Sequence, residues 1–186
     1  MRLTVLLLTL LLIPIQSAPE ATFKQRVSKF KNSKRFEMRY DKFDDRTLVR
    51  VGPFYLWNEL LKPENNFQMA AGFAFAGHKL TEQVDQFALI FVVNGDDWKF
   101  LEGRTLKVLA DDERFDLGEA DRTGKVGRSF FGDVRVKESL IVAVPAEVFT
   151  KMMTAKKVEM RLGPREFKLK DEHLQAFRDL MSLTKP

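Results

Sequence analysis

The stretch 86–93, QFALIFVV, constrains this chain more than any other segment of it. It carries no charge and is rich in Phe, Ile and Val, which is the pattern of a central strand apolar on both faces. Such a strand is expected to be covered on both faces, by a second sheet on one side and by a helix or loop on the other. Asn94-Gly95 follows it with the strongest short hairpin-turn signal in the chain.

The surrounding pattern is also that of strands. Phe36, Met38 and Tyr40 alternate with Arg35, Glu37 and Arg39, so one face of that segment is buried. A turn at 41–45 separates it from strand character at 47–51, which Gly52-Pro53 breaks. Residues 54–57 read as an apolar patch leading into a helical turn at 58–62, with a loop at 63–66. Residues 69–76 place Met69, Ala71, Phe73 and Phe75 on one side and only Ala and Gly on the other, a face that a neighbouring layer can approach closely. Further strands are expected at 99–101, 105–109, 114–117, 132–136 and 140–144, with an acidic turn at Asp111-Asp112-Glu113. A hairpin over 158–162 and 166–169 turns at Gly163-Pro164.

Two helices complete the reading. Pro145 opens a short one whose apolar face is Val148, Phe149, Met152 and Met153. Asp171 caps a terminal one that turns Leu174, Phe177, Leu180 and Met181 inward. The expected fold is mainly β, an antiparallel β-sandwich or open barrel with a short helix near 145–154 and a C-terminal helix; the alternative is α+β. Seventeen Phe against two Tyr and two Trp suit such a core, because Phe needs no hydrogen-bond partner when buried.

The first eighteen residues read as a secretory signal peptide. Met1-Arg2 supplies the charge, residues 3–15 the apolar stretch, and Gln16-Ser17-Ala18 the approach to the cut. The apolar run of about 13 residues falls short of the roughly 20 that a spanning helix needs. Residues 19–34 then form a basic segment, helical or flexible, and 35–186 a single β-rich domain. The expected location is periplasmic or extracellular. A chain of 186 residues without cysteine suits a bacterial envelope, because an exported domain of animals would more often carry disulfides.

The net charge of +5 is local. Residues 19–50 hold ten Lys/Arg against five Asp/Glu, whereas 51–186 hold twenty against twenty-one. Lys24, Arg26, Lys29, Lys31, Lys34 and Arg35 lie in a stretch, 21–36, that has no acid. Phe23, Val27 and Phe30 recur there at the spacing of one helix face. Those six cations are candidates for contact with an anionic surface, such as a weakly bound anionic membrane. Nucleic acid is not an expected partner, because no basic stripe extends over the remaining domain.

The search for chemistry excludes more than it finds. Without Cys, thiolate zinc, iron–sulfur and cysteine-nucleophile sites are impossible. The two histidines, His78 and His173, lie far apart in sequence, so a multi-histidine metal site is excluded, and no metal or cofactor is expected. No nucleophile elbow, phosphate loop or H-E-x-x-H occurs. Asp111, Asp112, Glu113, Asp116, Glu119 and Asp121 crowd one segment, yet lack the EF-hand pattern and read as solvated turns. Trp98, after the Asn94-Gly95 turn, and Phe130-Phe131, between Gly127 and Gly132, are candidate binding residues. The expectation is an exported, non-catalytic domain that binds an envelope protein or glycan or serves a structural role. The alternatives are an acidic-residue hydrolase of the envelope and a peripheral membrane protein held by its basic N-terminus.

Overall fold

The computed structural model describes residues 19–58, 65–128 and 132–184. Helix α1 (Pro19–Val27) and a 3-10 turn (Ser33–Arg35) precede β1 (Phe36–Asp41), β2 (Arg46–Asn58), β3 (Asn66–Ala76) and β4 (Gln86–Gly95). Strands β5 (Thr105–Ala110), β6 (Glu113–Glu119), β7 (Asp121–Arg128) and β8 (Val134–Pro145) follow. The chain ends with α2 (Ala146–Thr154), the hairpin β9 (Val158–Leu162) and β10 (Arg165–Lys168), and α3 (Asp171–Ser182). All pairings are antiparallel, in a six-stranded sheet of order β1-β2-β3-β4-β8-β7 and a four-stranded sheet of order β10-β9-β5-β6. The fold is thus mainly β, with the short helix and the terminal helix where the sequence pattern puts them.

Both the small sheet and the helices pack on one face of the large sheet. Phe87, Leu89, Phe91 and Val93 of β4 point into that core, with Phe67, Met69, Ala71 and Phe73 of β3 beside them. At one end Phe167 of β10 meets Phe67 and Phe91 edge-on, at centroid distances of 5.4 and 5.9 Å. At the other, Phe149 of α2 stacks on Phe87 at 4.1 Å and Phe177 of α3 meets Phe54 at 5.8 Å. Helix α1 joins them: Val27 is buried in the core, and Phe23 and Phe30 pack against it half-buried.

This corrects the expectation that β4 is covered on both faces. Ala88, Ile90 and Val92 face outward and are only half-buried, shielded by cross-strand neighbours such as Ala70 and Ile141. The Phe rings of β3 and β4 all lie on the inner side, so that side offers far more apolar area for a second layer to cover.

Other differences have local causes. The β2 strand runs through Gly52-Pro53, and a bulge between Val51 and Phe54 keeps both of those side chains inward. Residues 54–57 are therefore strand, and the helical turn expected at 58–62 lies almost wholly outside the described residues. Asn94-Gly95 closes no hairpin, because both edges of β4 are taken by β3 and β8 and the chain crosses to the other sheet. Residues 99–101 are a loop, β8 is one strand where two were expected, and β7 was not foreseen.

Candidate functional site

The outward face of the four-stranded sheet carries two register rows of side chains. One reads Arg114–Leu109–Glu159–Lys168 across β6, β5, β9 and β10, and the other Asp116–Lys107–Arg161–Glu166. Leu109 and Glu159 are half-buried and the rest exposed, as alternation against the buried Leu106, Val108, Met160 and Leu162 requires. These rows line a cleft of about 720 Å³. A second cleft of about 800 Å³ adjoins it, shares Lys107, Arg161 and Glu166, and continues to Glu102, Gly103 and the Gly163-Pro164 turn.

Within the groove Lys107 pairs with Asp116 at 3.4 Å, Arg161 with Glu166 at 3.6 Å, and Glu159 with Lys157 at 2.8 Å. Arg114 and Lys168, at the two edge strands of one row, have no ion-pair partner among the described residues. The Gly118 N–H, and then Lys107, hold the Asp116 carboxyl below the usual carboxylate range. Neighbouring strands are about 4.8 Å apart, so the groove is about 14 Å across. Such a surface offers both donors and acceptors to a long polar molecule.

The acidic segment that ends in this sheet is parcelled out. Asp111, at φ +50° in the two-residue β5–β6 turn, accepts from the N–H groups of Lys156 and Lys157. Those bonds, with Lys157 the larger cause, lower its pKa. Glu113 pairs with Lys151 at 2.6 Å and Glu119 with Arg104. No group of three or more metal-ligating side chains occurs among the described residues.

Sequence reasoning missed the most buried carboxylate. Glu138 sits on the inner side of β8 in phase with Val136 and Leu140 and is 0% exposed. It accepts from the Lys99 N–H at 2.6 Å, the Phe100 N–H at 3.2 and 3.3 Å, and Arg122 Nε at 2.9 Å. The Arg122 guanidinium lies 4.5 Å from the Trp98 ring centroid, and a Cβ at Gly124 would drive into that ring. Trp98 is thus half-buried against β7, and the cluster holds the 96–104 loop so that Phe100 enters the core. An acid in the buried phase of an alternating strand was the signal for it.

The basic N-terminal residues Lys24, Arg26, Lys29, Lys31, Lys34 and Arg35 are all exposed. Several of them also make contacts within the protein, Lys29 lying 5.8 Å from the Phe30 ring centroid. Arg26 donates to the Leu183 carbonyl at 3.3 Å, and Arg35 donates to the Pro53 carbonyl at 2.6 Å and lies 4.7 Å from the Phe54 ring centroid. Lys31 lines a small cleft with Lys156, Arg178, Asp171 and Glu172. The histidines are separate: His78 stacks on Tyr40 at 3.7 Å, while His173 is buried beside Phe54 and accepts the Lys170 N–H at Nδ1. Burial holds the His173 pKa down. Phe130, Phe131 and the signal-like segment 1–18 lie outside the described residues. No helix among the described residues is long and apolar enough to cross a membrane. No family model matches the chain, and no curated protein or solved structure is similar to it.

Proposed function

We propose that this chain is an exported, non-catalytic domain that acts in the bacterial envelope or the medium and binds a glycan strand along the groove of the four-stranded sheet. The observation that carries the reading is the pair of register rows, with Arg114 and Lys168, at the two ends of one of them, having no ion-pair partner among the described residues. Solvated rows of both signs can donate to and accept from sugar hydroxyls, and Leu109 gives an apolar floor for a ring face. Asp116, whose carboxyl is held below the usual carboxylate range, is not suited to the role of general acid in this groove. The apolar stretch 3–15 supports export.

Co-sedimentation with insoluble envelope glycan tests the site. The unmodified protein should pellet, and Arg114→Ala/Lys168→Ala should remain in solution while unfolding at the same temperature. Equal pelleting would move the site elsewhere, and binding only to envelope protein would replace the glycan as partner. Release of soluble sugar fragments, abolished by Glu159→Gln, would overturn the non-catalytic reading. Retention of the full chain in the cytoplasm, with Met1 intact, would overturn export.

A further inference from the structure

We infer that the basic N-terminal segment is a second interaction surface, one that docks the domain on an anionic lipid bilayer without inserting into it. The charge is concentrated there. The six cations of 21–36 stand without a single acid among them, in a chain whose remaining 51–186 is close to neutral. All six are exposed. Helix α1, one tight turn and a 3-10 turn carry them, which keeps them within on the order of 25 Å of one another.

The packing decides the mode of contact. An amphipathic helix that enters a bilayer must present its apolar face to the lipid. Here Val27 is buried in the protein core and Phe23 and Phe30 pack against it, so that face is already occupied. Lys24 and Arg26 flank the buried stripe on opposite sides of α1, and Lys29, Lys31 and Lys34 follow it, exposed, in the turns that lead to β1. What remains for the lipid is charge alone. Asp171 and Glu172 border the cleft at Lys31, where Lys156 and Arg178 keep the balance positive. Each cation near an anionic surface strengthens binding about fivefold, and the gain is lost as salt shortens the screening length.

The test uses residues 19–186, which hold every described element of the fold, so that the apolar segment before them contributes nothing. Vesicles of phosphatidylcholine containing 30% phosphatidylglycerol should pellet the protein at low salt and release it near half-molar salt. Pure phosphatidylcholine vesicles should not pellet it. Replacing Lys24, Lys29, Lys31 and Lys34 by Gln should weaken binding by on the order of a hundredfold or more. The thermal transition should stay in place, because none of those side chains enters the core. Unchanged binding by the fourfold variant would overturn the proposal. So would salt-resistant binding, binding to neutral vesicles, or binding to a soluble anionic polysaccharide but not to vesicles. Loss of vesicle binding with groove binding intact would leave the glycan reading standing, so the two fail separately.

Discussion

Replacing Glu138 by Ala should be the most damaging exchange of a polar side chain in the described fold. The carboxylate is 0% exposed and accepts two backbone N–H groups and the Arg122 side chain. Its removal leaves the Phe100 N–H buried without an acceptor, a loss of about 1–3 kcal/mol. It also leaves Arg122 beside an empty site, and breaking a buried pair from one side costs about 3–5 kcal/mol. Arg122 is 20% exposed and keeps the Trp98 ring, so the second cost is reduced, and two losses that share one carboxylate do not add. The expected total is about 3–5 kcal/mol, a large part of the stability of one domain. Urea unfolding followed by far-ultraviolet circular dichroism measures it. Hydrogen exchange should show the Phe100 amide losing protection first. The double variant Arg122→Met/Glu138→Leu separates the two contributions. It should recover the ionic part and retain a deficit of about 1–3 kcal/mol, because the loop amides still lack an acceptor. A Glu138→Ala midpoint within half a kcal/mol of the unmodified protein would refute the account of the loop.

Phe91→Ala, at a fully buried site between Phe67 and Phe167, should cost about 3–5 kcal/mol in the same assay; a loss below 1 kcal/mol would contradict the shared core of the two sheets. Gly124→Ala should lose about 1–3 kcal/mol by pressing a methyl group into the Trp98 ring, and Gly124→Ala with Trp98→Leu should lose less than the two single exchanges together; strict additivity would show that the ring is not seated there. Burial depresses the His173 pKa below 6.5, so on acidification the unfolded chain takes up the proton first. The stability contributed by neutral His173 is therefore complete above about pH 6.5 and falls as the pH drops below it. Unfolding midpoints between pH 7.5 and 5 should decline, and His173→Gln should flatten that decline; a midpoint that rises on acidification would reverse the sign of the argument.

The architecture was legible where the pattern of one strand sufficed. Alternation in 36–40, the Gly163-Pro164 turn and the apolar spacing of α2 and α3 depend on neighbours a few residues away, and each appears where expected. Strand β7 was invisible for the opposite reason. Its sequence, DRTGKVGR, has two glycines and four charges, and it is a strand only because β8 offers it an edge. The groove was hidden as well. Lys107, Arg114, Arg161 and Lys168 are scattered over 62 residues of sequence, and only the register of four strands sets them on one face.

The run 86–93 is apolar throughout, yet not every residue in it demands a covering layer. Phe87, Leu89, Phe91 and Val93 make that demand, and the small sheet and the helices meet it together. Ala88, Ile90 and Val92 do not. A strand in the middle of a sheet has its outward side chains flanked by those of both neighbours: Ile90 stands between Ala70 and Ile141, and Ala88 between Gly72 and Ala143. Much of their surface is removed from water, with these cross-strand neighbours on either side. The alternation was present in the sequence as a difference in size rather than polarity, with Phe, Leu, Phe and Val on one phase and Ala, Ile and Val on the other. The same rule of size over polarity separates Glu138 from its strand: it shares the phase of Val136 and Leu140, and only the basic Arg122 and two free amides make that position habitable for a charge.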